Sequence, residues 1–314
     1  MFQIQLPASM TSMFRRINMI TLRTLILDGG EPEDVARFLQ ALTPIFTKGS
    51  PGLAKLHLKY LPKTNSEAFV EALDALLLSF CGLRELVLHT GDCRRVLPRG
   101  VVNHGQTLKK LMLTKGNTHT FEAIQAEVYQ MLAQCPNIEQ LCLDLYDLQS
   151  NLFEEEDFDL IVPSSDCLSA NTLFAEILAT IATLPKLHTL RLADPKFYRS
   201  GTYANLTLIP VQTTMVNYGT LRCFFQLKAD GIMRYLGDRG SKIKVLAFSL
   251  LDEFQQPEKP DLNGHLWPHY YYHRARLTDG FGNDYAVARP LRNWKADFPA
   301  SWVLTDFYNQ WQWE

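Results

Sequence analysis

The sequence predicts an α/β solenoid, in which short parallel strands stack side by side and helices cover one side of the sheet. Three observations predict it. A leucine motif recurs at near-regular spacing, the intervals between its copies have helical periodicity, and Gly or Pro lies where most of those helices should end. With 314 residues, of which 46% are hydrophobic and 20% charged, the chain can bury a large core, and extended disorder is not expected.

The motif reads LxxLxL, with Ile or Phe replacing Leu in places. Its first five copies begin 25 to 31 residues apart. The copies begin at Leu22, Leu53, Leu83, Leu108, Ile138, Leu187 and Ile243, and a weaker copy begins at Leu221. Alternate side chains of a strand point to the same face, so the last two leucines of each copy share a face. One such strand cannot bury its leucines alone, whereas stacked copies form a parallel sheet over a common core.

The intervals between the copies predict helices. Apolar residues recur at helical spacing in 34–42, 66–78, 121–133 and 173–184. A Gly or Pro follows each stretch before the next leucine copy, as is typical of helix ends. The predicted unit is therefore a helix, a tight turn and a strand.

The leucine copies and the junction Cys135-Pro-Asn-Ile-Glu-Gln-Leu-Cys-Leu143 resemble leucine-rich-repeat proteins of the long, irregular α/β type. The chain is similar above all to the substrate-binding region of F-box proteins, particularly fungal ones, over about residues 20–250. This resemblance implies a horseshoe with strands on the concave face and helices on the convex face, and a substrate-receptor role in ubiquitin ligation. The F-box itself is not found, because too few residues separate Leu6-Pro7 from Leu22. Binding to a Skp adaptor therefore stays open.

Composition divides the chain into three parts. Residues 1–20 form an N-terminal cap or a truncated lead-in, 21–250 the repeat domain, and 251–314 an aromatic-rich C-terminal cap that holds all five tryptophans. A solenoid must cover the open end of its core, which predicts the cap; a binding surface of aromatic side chains is the alternative. An acidic insertion near 150–168 predicts a solvated loop, with a partner-gripping loop as its alternative.

The sheet face opposite the leucines predicts the partner-binding surface, because strand periodicity turns the intervening residues to that side. The candidate residues are Lys55, His57, Lys59, Glu85, His89, Lys110, Met112, Gln140, Asp144 and Arg191. The three lysines lie with two histidines on the early repeats and predict a basic patch that binds an acidic or phosphorylated protein segment. Changing these lysines to Glu is expected to weaken that binding and to leave the melting temperature nearly unchanged.

Sequence motifs favour a non-catalytic protein without a cofactor or a bound metal. The chain has no phosphate-binding loop, zinc-protease helix or nucleophile elbow. His265, His269 and His273 lie four residues apart, which keeps a metal or enzyme site in the tail as an alternative. A leucine-rich-repeat scaffold with no link to ubiquitin is a further alternative.

Charge and cysteine usage indicate the compartment and the class of partner. The net charge of −2 disfavours nucleic acid as a ligand. The six cysteines form no CxxC pair, which is typical of reduced thiols, and Cys135 and Cys142 are not expected to pair. Neither a signal peptide nor a membrane-spanning stretch is recognised. We therefore expect a cytoplasmic or nuclear protein that does not bind membranes.

Overall fold

The structure is a computed structural model, and it divides into two compact units, Met1–Leu143 and Asp144–Glu314. It describes residues 3–4, 22–28, 30–46, 52–61, 67–90, 98–115, 130–144, 172–193, 218–249, 271–291 and 294–299. The predicted boundaries near residues 20 and 250 and the acidic insertion near 150–168 lie outside these ranges and stay predictions.

The sheet of the first unit is parallel, and its strands follow one another in chain order. They are β1 (Gln3–Ile4), β2 (Thr24–Asp28), β3 (Lys55–Leu61), β4 (Glu85–Thr90), β5 (Lys110–Lys115) and β6 (Gln140–Asp144). Helices α1 (Pro32–Phe46), α2 (Glu67–Leu78) and α3 (Pro98–Val102) lie in the connections. The predicted α/β class with a mostly parallel sheet is thus confirmed.

The leucine motif holds one register from β2 to β6. The middle leucines pair from strand to strand and are all 0% exposed: Leu25, Leu56, Leu86, Leu111 and Leu141. The last leucines form a second buried row: Leu27, Leu58, Leu88, Leu113 and Leu143. The first residues of the copies are buried beside them: Leu22, Leu53, Leu83, Leu108 and Ile138. Each copy therefore adds the same three side chains to a continuous core.

A backbone hydrogen bond also repeats from copy to copy. The N–H of Ala54 donates to the carbonyl of Arg23 at 2.7 Å, and the N–H of Arg84 donates to the carbonyl of Ala54 at 2.8 Å. The next two bonds of the series join Lys109 to Arg84 and Glu139 to Lys109. Because these residues hold the same position of the motif, the bond locks the start of each strand to the next.

The helices predicted at 34–42, 66–78 and 173–184 are found where the apolar periodicity placed them. The buried face of α1 includes Val35, Phe38 and Leu42, and α1 packs against α2. Of the stretch 121–133, the structure describes 130–133, which is helical. Side chains tie α2 to α3 as well, since the Asp74 carboxylate accepts the Gly100 N–H at 2.9 Å.

The second unit contains β7 (Thr189–Ala193), β8 (Val245–Ser249), β9 (Tyr271–Thr278) and β10 (Asp284–Pro290). Strands β7 and β8 are parallel, whereas β9 pairs antiparallel with β8 and β10 antiparallel with β9. The helices are α4 (Thr172–Thr183), α5 (Tyr218–Asp238) and α6 (Trp294–Asp297). The weak leucine copy at Leu221 was wrongly predicted as a strand, because its apolar residues also fit one face of α5.

Helix α5 covers the outer edge of β10. The Gln226 side-chain amide donates to the Ala288 carbonyl at 2.6 Å, and the Asp230 carboxylate accepts the Ala288 N–H at 2.7 Å. These two side chains replace the bonds that another strand would make at Ala288. Two turns further on, a Cβ at Gly237 would lie only 2.8 Å from the Ala286 Cβ, so the helix approaches the strand too closely for a larger residue.

None of the helices in the described ranges combines the length and the apolar character that crossing a membrane requires.

Candidate functional site

The predicted binding face of the first unit carries a row of polar residues at the start of its strands. The register aligns Thr24, Lys55, Glu85, Lys110 and Gln140 on neighbouring strands, so each residue lies beside its equivalents from the copies before and after it. Neighbours in such a row are about 5 Å apart, close enough for their side chains to bond. The row is therefore a set of contacts between strands that carry successive copies of the motif, and not a set of independent surface groups.

Glu85 forms the centre of this row. Its carboxylate lies 3.0 Å from Lys55 Nζ and 3.2 Å from Lys110 Nζ, and 3.8 Å from His57 Nε2. Burial raises the pKa of Glu85, but hydrogen bonds and charges from Lys55 and Lys110 outweigh it, and the pKa lies below its usual value. The carboxylate is therefore ionised at neutral pH and offsets one of the two positive charges.

This geometry revises the expected basic patch. Lys55 and Lys110 belong to one Lys–Glu–Lys cluster, so the patch is less positive than its lysines alone imply. Reversing both lysines would also place three carboxylates together at a site where Glu85 is 9% exposed. We therefore expect such a change to lower the melting temperature instead of leaving it nearly unchanged, because a buried carboxylate would lose its partners.

The next row on the same face is mostly apolar and buried. Ile26, Val87, Met112 and Cys142 are each at most 5% exposed, and His57 lies among them. Strand periodicity predicts this face to be open to a partner. Among the side chains of this face that the structure describes, Lys55 is the most exposed.

The predicted site residues therefore separate into three groups. The side chains of Lys55, Lys110, His57 and Glu85 are 46%, 22%, 12% and 12% exposed. Met112, Gln140 and Arg191 are buried, which prevents direct contact with a partner in this structure. The remaining residues occupy strands, with side chains outside the described set: Lys59, His89 and Asp144.

The histidine cluster predicted in the tail is described only in part. His265 and His269 lie outside the described residues, and His273 lies on β9, with its half-buried ring next to the start of β8. Within the described ranges, no group of three or more His, Cys, Asp or Glu side chains is arranged to hold a metal ion.

Cys135 and Cys142 are buried free thiols, as expected. Burial raises the pKa of Cys135 to about 11, so this thiol stays protonated at neutral pH and is a poor nucleophile. The exposed thiol among the cysteines that the structure describes is Cys81.

A basic groove in the second unit was not predicted. Its volume is about 420 Å³, and it lies between the start of β8 and the middle of β9. Lining it are Lys242, Ile243, Lys244, His273, Arg274, Ala275, Arg276 and Phe298. The signal was present as two pairs, Lys242-x-Lys244 and Arg274-x-Arg276, but thirty residues separate them and only the antiparallel pairing of β8 and β9 joins them.

No protein-family model matches the sequence, and no curated protein or solved structure is significantly similar to it.

Proposed function

We propose that the chain is a non-catalytic protein-recognition module built from leucine-rich repeats. The observation that carries this proposal is the register from β2 to β6, in which every copy of the motif contributes equivalent leucines to one core. Repeats of this kind create a wide, rigid sheet face, and repeat proteins commonly bind partners on such a face. No equivalent convergence of catalytic side chains supports an enzyme among the described residues.

The proposed architecture is a horseshoe, with parallel strands on the concave face and helices on the convex face. In support, each described connection between β2 and β5 contains a helix, as a parallel sheet requires. The aromatic tail is proposed as the C-terminal cap, since its hairpin β9–β10 ends the parallel pairing in the second unit.

The proposed partner is a protein with an acidic or phosphorylated segment, and the proposed contact region includes Lys55, His57 and Lys110. Lys55 is the most exposed of the three and is a member of a cluster with net positive charge. By its resemblance to F-box proteins, the module would act as a substrate receptor in ubiquitin ligation, in the cytoplasm or the nucleus. A scaffold of leucine-rich repeats without that link is the alternative.

Binding to a Skp adaptor separates the receptor from the scaffold. The purified chain and a purified Skp adaptor are mixed and run on a sizing column. Co-elution supports the receptor. Separate elution excludes direct adaptor binding by this chain and leaves either a receptor without its F-box or a scaffold that never had one.

A matched pair of lysine variants tests the recognition face itself. Lys55→Gln alters the polar row, whereas Lys109→Gln removes an equally exposed lysine that pairs with Glu139 at 2.7 Å, next to the row. The wild-type chain and both variants are immobilised, and the amount of each protein that they retain is compared by mass spectrometry. We expect a partner that Lys55→Gln loses and Lys109→Gln keeps. Identical retention by the two variants would exclude this face.

A further inference from the structure

We propose that the basic groove of the second unit binds an extended acidic peptide segment of a partner protein. This site goes beyond the recognition face proposed above, because it involves other residues in the other unit.

The groove opens where β8 and β9 stop being joined by backbone hydrogen bonds. Val245 pairs with His273, and the Arg274 N–H donates to the Lys244 carbonyl at 2.8 Å. Beyond that bond, the described residues contain no further backbone hydrogen bond between the two segments. The N–H of Arg276 faces the same edge as that of Arg274, because hydrogen-bonding direction alternates along a strand. A peptide entering the groove can therefore bond to the backbone as well as to side chains.

The positive charges of the groove repeat at the spacing of an extended chain. Ser241, Ile243 and Val245 are buried, and the intervening Lys242 and Lys244 are exposed, so both lysines point outward. Lys242 and Lys244 lie just before β8 begins, and the burial of this segment alternates as it does in a strand, where residues two apart are separated by about 6.8 Å. Arg274 and Arg276 share one face of β9 at the same spacing.

Three of the four cations are available to a ligand. The Arg274 guanidinium donates to the Ser241 carbonyl, which holds this side chain against the protein. Among the described residues, no carboxylate lies within ion-pair distance of Lys242, Lys244 or Arg276, and no acidic residue lines the groove. This arrangement leaves a local positive charge without a partner of opposite sign.

An extended peptide with Asp or Glu at alternate positions fits this distribution of charge best. Its carboxylates recur at the same interval as the cations, and its intervening side chains can contact Ala275 and Phe298. A single phosphate would need cations that converge on one point. Nucleic acid is disfavoured because the chain has a net charge of −2 and the groove is short.

Fluorescence polarisation with two labelled hexapeptides of equal composition tests the proposal. One alternates as Glu-Thr-Glu-Thr-Glu-Thr, and the other is blocked as Glu-Glu-Glu-Thr-Thr-Thr. We expect the full chain to prefer the alternating peptide. Lys242→Glu and Arg276→Glu should each weaken binding by about tenfold, which is the effect of losing one charged contact. Lys186→Glu, an equal charge reversal at an exposed turn of the same unit, should change it less than twofold.

Several results would overturn the proposal. These are absence of binding, equal affinity for the two peptides, or an equal effect of Lys186→Glu. Tighter binding of a single-phosphoserine peptide or of a short RNA would assign the groove to a different ligand. A thermal melt of each variant checks its folding, and Lys242→Gln and Arg276→Gln serve in place of a reversal that fails to fold. The outcome is independent of the Lys55→Gln experiment, so either proposal can fail alone.

Discussion

Two glycines of α5 predict opposite responses to the same substitution. Alanine in place of glycine favours a helix by up to about 1 kcal/mol, and less at a helix end. A Cβ at Gly231 would meet no atom within 4 Å, so Gly231→Ala should raise the free energy of unfolding by about 0.5–1 kcal/mol. The Cβ of Gly237→Ala would lie 2.8 Å from the Ala286 Cβ and 3.1 Å from Arg274 Nη2.

Ordinary contact begins at 3.4 Å, so α5 and β10 must separate by about 0.6 Å in Gly237→Ala. Such overpacking typically costs about 1–3 kcal/mol, and the separation also stretches the bonds from Gln226 and Asp230 to Ala288. We therefore expect Gly237→Ala to be about 2–3 kcal/mol less stable than Gly231→Ala. Urea denaturation followed by circular dichroism measures this difference. Equal midpoints for the two variants would refute the close packing of α5 on β10.

Three further predictions concern the first unit. Burial lowers the pKa of His104 from 6.5 to about 4, so the unfolded chain binds the proton first, and this residue alone should lower the free energy of unfolding by about 3 kcal/mol from pH 6.5 to 4. Carboxylates such as Glu85 add to the slope in the acidic part of this range, so an undiminished slope in His104→Gln is the result that would contradict the prediction. Glu85→Gln should lower the free energy of unfolding by about 1–3 kcal/mol because two lysine contacts are lost at a buried site, whereas Lys109→Gln should lower it by less than about 1 kcal/mol. Equal losses of the two variants in urea denaturation would contradict this. Site-resolved alkylation should modify Cys81 before Cys135, and the reverse order would contradict the assigned burial.

The leucine core could be predicted because each copy of the motif shows, within a few residues of sequence, which of its side chains are buried. Leu56 and Leu86 are buried for the same reason, and each is recognised from residues within its own copy. The helices follow from apolar residues three and four apart, which is again local information. At Leu221 the short apolar pattern fits both a strand and a helix, and the segment is helical because it lies within the 21-residue helix α5.

The sites were less predictable because they depend on residues far apart in the chain. Glu85 meets Lys55 and Lys110 only through the register of three strands. The burial of Met112 was likewise not predicted. The alternation of side chains along a strand predicts which face Met112 occupies, but not whether other parts of the protein cover that face. The groove could not be predicted without the antiparallel pairing of β9 with β8, and this pairing breaks the parallel pattern set by the leucine copies.

The covered edge of β10 also bears on aggregation between copies of the protein. An uncovered strand edge can pair with the same edge of another molecule and start aggregation. Gln226 and Asp230 occupy both backbone groups of Ala288, and Pro290, which shares the outward register of Ala288, has no N–H to offer. Replacing both Gln226 and Asp230 by alanine would therefore expose the unpaired backbone groups of Ala288 while leaving β10 itself intact. The first effect would be concentration-dependent aggregation of the protein.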